Sequence, residues 1–404
     1  MSSGWRTAVG GLRSAADDFN TSSQSPIANS RSPQRVAIVH DWLTGMRGGE
    51  KVLDAICELY PEADIYTLVH VKGSVSERIE AHRIRCSAVQ RLPNSGRLYR
   101  QYLPLFPMMV EMFDLDRYDL VISSSHCAAK SVIRGASATH VCYCHSPMRY
   151  AWDQFDSYFG VAQVGKVRSR LLRPVMAHLA RWDAATAGRV DRFLANSQYV
   201  AGRIRRYYNR GSTVVHPPVD TTFYRPSPST PPQRQPPFLI VSALVPYKRL
   251  DVAIAACRKV GARLKIVGRG PEEARLRALA ADDVDFLGWR TNEEIRDLYR
   301  EAAAVLLPGT EDFGMVPVEA QACGTPVVAL AKGGACETVQ DDVTGVLVRD
   351  DSTAAFAGGL DRVRSLKRDP EVFHAHAERF SRAHFMTSFQ DAVADALAER
   401  EVPR

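Results

Sequence analysis

At 404 residues the chain exceeds what one hydrophobic core usually supports, and its 45% hydrophobic and 24% charged content is that of an ordinary globular protein. No apolar run reaches the roughly 18 residues that a bilayer-spanning helix needs, so no membrane span is expected. The net charge of +7, with eleven Lys/Arg against two Asp between Gly165 and Arg210, admits nucleic acid, an anionic membrane surface or phosphate-bearing ligands as partners.

Residues 1–34 are rich in Ser, Gly, Asn, Gln and Arg and read as a disordered leader without the apolar core of a signal peptide. Val36–His40 is a short apolar run of the kind that forms a buried parallel strand. A glycine turn containing Gly48 and Gly49 follows. A helix is then expected over 50–59, with Val52, Leu53, Ile56 and Leu59 on one face, and a strand over 63–69. This is the start of a βαβ unit. The apolar, aromatic stretch 99–113 lies near Arg97 and Arg100. It reads as a buried helix pair or, with the basic stretch 166–173, as a surface resting on anionic lipid. Further strands are expected at 118–123, Thr139–Cys144 and Arg192–Ala195, and a helix at Gln198–Tyr208.

Eight prolines between Pro217 and Pro237 mark a linker, 217–237. A second alternation begins at Phe238, with strands at 238–242, 263–267, 284–287, 303–307, Val327–Leu330 and Gly345–Val348. Helices are expected between them at 250–260, 272–281, 293–301 and 316–323, and residues 369–404 are helical in character. The fold class is α/β: two doubly wound Rossmann-like domains, 35–216 and 238–368, facing a central cleft. Ligands in such folds sit outside the carboxyl ends of the strands. Eight scattered cysteines without a CxxC pair predict reduced thiols in a cytoplasmic chain and no metal site.

The strongest motif runs from Pro308 to Ala320, through Glu311, Phe313, Gly314, Met315 and Glu319. It follows a strand and opens a helix, with Pro317 in the first turn and Gly324 at the stop. Such an entry turns free N–H groups and a positive dipole end toward an anion. The two carboxylates, one in the loop and one a turn into the helix, are placed to grip sugar hydroxyls.

Glu311 to Val328 resembles the signature of the retaining glycosyltransferases of family 4, which have the GT-B fold. Val241 to Arg249 resembles that family's loop for the donor diphosphate, and Ile266 to Glu272 its second glycine turn. His40-Asp41-Trp42 with Gly48-Gly49-Glu50 resembles its first-domain glycine loop. Tyr143 to Tyr150 resembles a histidine loop in a branch that includes mannosyltransferases of surface-polysaccharide assembly.

The resemblance implies metal-independent, retaining transfer from a nucleotide-diphosphate sugar, GDP-mannose or a UDP-sugar, to a saccharide or lipid-linked acceptor, with no cofactor. It implies that Glu311 and the amides of Phe313, Gly314 and Met315 hold the donor sugar. Glu319 would bind the ribose, Lys248 and Arg249 the diphosphate, His145 a sugar hydroxyl or the phosphate, Gly48 and Gly49 the phosphate, and Asp41 the acceptor. Many members carry Arg five residues before the lysine; here Ala243 stands there, and Arg249 is the candidate replacement. Two rival readings are a non-catalytic sugar-nucleotide module and a nicotinamide-dependent dehydrogenase. The second lacks a full Gly-x-Gly-x-x-Gly, and a nucleic-acid binder leaves the paired glutamates unexplained.

Overall fold

The computed structural model of the chain describes residues 35–227 and 235–401. The expected leader, the middle of the proline-rich segment and residues 402–404 lie outside the described residues.

The first sheet contains β1 (Val36–His40), β2 (Asp64–Thr67), β3 (Ile84–Cys86), β4 (Leu120–Ser125), β5 (Thr139–Cys144), β6 (Arg192–Ala195) and β7 (Thr213–Val214). All are parallel, in the order β3-β2-β1-β4-β5-β6-β7. Both faces are covered, as parallel sheets require. Ala37, Val39 and Val121 point into one layer with Tyr66, Phe106 and Val110. Their neighbours Ile38, Ile122 and Val141 point into the other, against Val52, Leu53 and Ile56 of the helix Gly48–Leu59.

The second sheet contains β8 (Phe238–Val241), β9 (Leu264–Val267), β10 (Val284–Gly288), β11 (Val305–Leu307), β12 (Val327–Leu330) and β13 (Gly345–Val348). Its order is β10-β9-β8-β11-β12-β13, again parallel. In each sheet the strand order reverses direction beside the first strand, between β1 and β4 and between β8 and β11. A doubly wound sheet opens its ligand crevice at that point.

Two passages cross between the domains. Within the segment expected as a linker, Val219 and Tyr224 are buried in the core of the second domain. Val219 N donates to Phe380 O at 2.9 Å, and Arg382 N donates to Val219 O at 3.0 Å, so the outward and return crossings lie side by side. Beyond the return crossing, the helix Arg382–Glu401 leaves the second domain. It buries Phe385, Phe389 and Val393 in the first, against Ile38, Ile56 and Ile122. Its Phe385 ring meets Tyr143 edge-on with centroids 5.8 Å apart, and its Phe389 ring lies tilted to Tyr143 at 6.3 Å.

Candidate active site

The second domain builds its half of the site from the loops after β8 and β11. The turn at Gly268 and Gly270 packs so closely under the first loop that a Cβ on either would lie 1.9 Å from Ser242 O or 2.3 Å from Leu244 O. The glycines therefore serve backbone packing. The same holds at Gly309, where a Cβ would stand 2.7 Å from Lys248 Cα. These contacts press the Pro246–Lys248 turn against the loop after β11, and Lys248 Nζ forms an ion pair with Glu311.

Glu311 is braced from behind. Gly334 N donates to Glu311 O at 2.9 Å, and a Cβ on Gly334 would come within 2.3 Å of Phe313 Cα. The Phe313 side chain is buried beside His216 and Phe380, so only its backbone is available to a ligand. Gly314 takes a left-handed φ of +87° just before the helix Met315–Ala322. Glycine adopts that conformation at little cost. The first N–H groups of the helix have no carbonyl inside it, and a Cβ on Gly314, just before them, would lie 3.5 Å from Glu311 Cβ.

Glu319 is nearly fully buried one turn into this helix. It accepts from Tyr299 Oη at 3.0 Å and from Lys51 Nζ at 2.8 Å, and Lys51 belongs to the first domain. Arg249, with a left-handed φ of +51°, turns to Asp351 and Asp251. It lines a cavity of about 450 Å³ with Tyr247, Thr310, Lys332 and Arg349.

The first domain supplies the facing wall from the carboxyl ends of β1, β4 and β5. A Cβ on Gly49 would lie 3.7 Å from the His40 ring and 3.8 Å from the His145 ring. A Cβ on Gly48 would lie 3.4 Å from Met315 Sδ, across the crevice. His145 Nε2 is 2.8 Å from Ser124 Oγ. Burial, together with His126 and His40, holds the His145 pKa well below the usual histidine value. The ring is therefore neutral, fit to exchange hydrogen bonds with hydroxyls.

Asp41 departs from the expected role. Its carboxylate is 0% exposed and accepts four backbone N–H groups, those of His126, Cys127, Ala128 and Ala129, at 2.6–3.0 Å. With its lone pairs so engaged it has no free oxygen for an acceptor hydroxyl, and it serves to fold the loop after β4.

Side chains that the sequence reading did not single out hold the two walls together. Arg149, on the histidine loop, donates Nε to Asp312 Oδ2 at 2.8 Å. Burial works against its charge, but Asp312 and Tyr247 outweigh that and raise its pKa. Ser197 Oγ donates to Asp312 O at 2.6 Å. Glu337 accepts from Gln198 N and Tyr199 N at 2.9 and 3.2 Å, closing the amino end of the helix Gln198–Tyr208 from the opposite domain. No sequence spacing announces these pairings, although Arg149 lies within the histidine loop and Asp312 next to Glu311 in the strongest motif.

Comparison with known proteins agrees with this architecture. Residues 46–223 match the model of "Glycosyltransferase Family 4", and residues 225–380 match that of "Glycosyl transferases group 1". The chain is similar to a D-inositol 3-phosphate glycosyltransferase of Mycolicibacterium smegmatis, 33% identical over 53% of this chain and 56% of the relative. It is also similar to one of Mycobacterium sp. (strain JLS), 30% identical over 66% of this chain and 70% of the relative. The match spans just over half the length of the first of these two relatives.

Among solved structures, Anabaena HepE in complex with UDP and glucose superposes with a TM-score of 0.66 at 21% identity, covering 89% of this chain and 99% of that one. The sucrose-phosphate synthase of Thermosynechococcus elongatus superposes with 0.67 at 17% identity, covering 91% and 100%. From its paired parallel sheets, its crevice and these matches, the chain belongs to the GT-B glycosyltransferases, with a family 4 first domain and a group 1 second domain.

Proposed function

We propose that the chain moves a hexose from a nucleotide-diphosphate donor, GDP-mannose or a UDP-sugar, to a saccharide or lipid-linked acceptor, with retention of configuration and without a metal ion. The observation that carries this reading is the convergence of Lys248, Glu311, Glu319 and a helix amino end on one crevice, opposite the glycine turn and His145. Breaking the bond from sugar C1 to the diphosphate leaves the electron pair on phosphate oxygen and positive charge on the sugar ring. A fixed cation and aligned N–H groups stabilise the first charge, and the Glu311 carboxylate the second.

Lys248 and Glu311 pair with each other in the crevice, so donor binding exchanges that pair for contacts to the diphosphate and the sugar. Glu319 would meet the ribose hydroxyls after a like exchange with Lys51. The complex of HepE with UDP and glucose supports a UDP-sugar, and the inositol-phosphate relatives support a polyol or saccharide acceptor. Family membership removes the dehydrogenase reading, and the presence of Lys248, Glu311 and Glu319 in the crevice favours an enzyme over a binding module.

The test is calorimetry against UDP, GDP and ADP, followed by turnover of the matching sugar nucleotides in excess chelator. A proton NMR spectrum of the first product reads its anomeric configuration. An inverted linkage, or activity that chelator abolishes, overturns the corresponding part of the proposal.

A peripheral place at the inner face of the membrane belongs to the same reading. Among the described residues no helix is long and apolar enough to cross a bilayer. Yet Val167 and Leu171, one turn apart on the helix Lys166–Ala185, are 73% and 67% exposed among Lys166, Arg168 and Arg170. Met108 and Met112, from the other apolar stretch, are exposed as well. Basic residues interleaved with exposed apolar ones suit anionic lipid.

A further inference from the structure

Three histidines close the first-domain wall of the crevice, and their surroundings differ. His40 is buried, with Nδ1 3.1 Å from Ser124 Oγ and Nε2 facing Glu50 at 3.9 Å. His145 reaches the same Ser124 Oγ through Nε2. Ser124 has a single hydroxyl proton, so it donates to one of these rings and accepts from the other. Both imidazoles are thereby tied to the floor of the domain, His145 keeping only Nδ1 for a ligand.

His126 is held in another way. It follows β4, at the point where the order of the first sheet reverses. Its Nδ1 lies 3.2 Å from Asp41 Oδ2. The negative charge of Asp41, though its lone pairs are held by backbone amides, electrostatically favours the tautomer with the proton on Nδ1 and so leaves the Nε2 lone pair bare. Asp41 is fully buried while the His126 side chain is 30% exposed, so the solvent-reached part of the ring is the edge away from Asp41. Trp42 meets the ring edge-on at 4.4 Å and His145 stands 6.1 Å away between centroids, which fixes its orientation. Burial lowers its pKa, an effect Asp41 only partly opposes, so the bare nitrogen stays unprotonated at neutral pH.

We infer that His126 binds the acceptor: its Nε2 accepts a hydrogen bond from the hydroxyl that attacks the sugar, with Asp41 as the positioning residue behind it. The inference rests on the glycosyl-transfer reading above. Lys248, Glu311 and Glu319 of the second domain and the glycine turn with His145 of the first are taken by the donor, so His126 is the ring of this wall left for the acceptor. His145 and His126 then offer one free nitrogen each, some 6.1 Å apart by ring centroid, to the two sides of the bond being exchanged. The carboxylate expected to meet the acceptor thus acts through a histidine that the sequence reading passed over.

The experiment compares wild type with His126→Phe, which keeps the ring but no nitrogen, and with His126→Gln, which restores a hydrogen-bonding side chain. Affinity for UDP and GDP is measured by calorimetry. Transfer from UDP-glucose and GDP-mannose is measured to octyl β-D-glucoside, octyl α-D-mannoside and D-inositol 3-phosphate. The expected result is nucleotide affinity within twofold of wild type in both variants. In the Phe variant kcat/KM for the acceptor falls about tenfold or more, the worth of one hydrogen bond, and Gln recovers part of the loss. Acceptor kcat/KM of the Phe variant within threefold of wild type overturns the inference, as does an equal loss of nucleotide affinity. A wild-type protein that binds neither UDP nor GDP removes instead the donor reading on which the inference stands.

Discussion

The ion pair between Lys248 and Glu311 makes an unusual demand: its two partners should move nucleotide affinity in opposite directions. Lys248 is 14% and Glu311 21% exposed at the side chain, so the pair is shielded without being dry. A charge-assisted contact from Lys248 to a diphosphate is worth about 1.5–3 kcal/mol, which is about tenfold to 150-fold in affinity. Lys248 must leave Glu311 to make it, so the lower end applies, and Lys248→Ala should weaken UDP or GDP binding about tenfold. Glu311→Gln removes both the competitor for Lys248 and a negative charge beside the phosphates. It should tighten nucleotide binding about threefold while lowering transfer by about 100-fold or more, because its carboxylate acts at the reacting sugar. The double variant should bind more tightly than Lys248→Ala alone and less tightly than Glu311→Gln, because the charge of Glu311 is removed in both backgrounds. The assay is calorimetry at 25 °C and fixed salt, with melting curves to show that each variant is folded. If both single variants lose affinity, or neither changes it, Lys248 does not face the diphosphate and the exchange of pairs is wrong.

Acidification should destabilise the protein early. Burial holds the pKa values of His126, His140 and His145 below the usual 6.5, that of His140 at about 4. The native rings are neutral while the unfolded ones take up protons, so the stabilisation is full above pH 6.5 and is lost as pH falls below it. Each contributes a slope of up to about 1.4 kcal/mol per pH unit. Melting temperature measured from pH 7 to 5 should fall, and less steeply in His140→Gln; a flat profile refutes this. Phe389→Ala should cost about 3–5 kcal/mol and be felt in the first domain, seen by calorimetry as a transition that moves down while the second domain's stays. Flotation with anionic vesicles should show binding that declines as salt rises. Charge reversal at Lys166, Arg168, Arg170 and Arg173 should abolish it without touching nucleotide affinity, whereas equal flotation with neutral vesicles would leave the basic stretch a solvated face.

The second domain was easier to read than the first. Apolar residues dominate its strands, with β8, β11, β12 and β13 free of charged residues, and β12 and β13 match the expected bounds residue for residue. In the first domain β5 and β6 do the same, but β3 and β7 carry no strand signal in the sequence. They are short edge strands that lack a run of buried positions, and sheet pairing alone makes them strands. The crevice residues Lys248, Glu311 and Glu319 were legible because they sit in loops and helix starts with local signatures. Their partners were not. Lys51 lies 268 residues from Glu319 and Arg149 lies 163 from Asp312, and pairing at such separations is a property of the folded crevice. Asp41 stands out in the sequence as part of His40-Asp41-Trp42, the stretch that resembles the family's glycine loop. Its true task was hidden, because four amides 85 to 88 residues away consume the carboxylate.

The helix Arg382–Glu401, which lays Phe385 and Phe389 into the first domain, bears on how the chain is made. Synthesis delivers β1 to β7 first, yet the layer that covers Ile38, Ile122 and Val141 is completed only when residues 382–401 have emerged. At about 5–20 residues per second the roughly 170 residues between β7 and that helix impose a delay on the order of ten seconds or more. The second domain has all its strands by then and can close on its own, so the domain translated first finishes last. During that interval the unfinished face of the first sheet is an apolar surface open to chaperones or to other nascent chains. Slowing translation within residues 238–381 should therefore raise chaperone occupancy and aggregation without changing the stability of the finished protein.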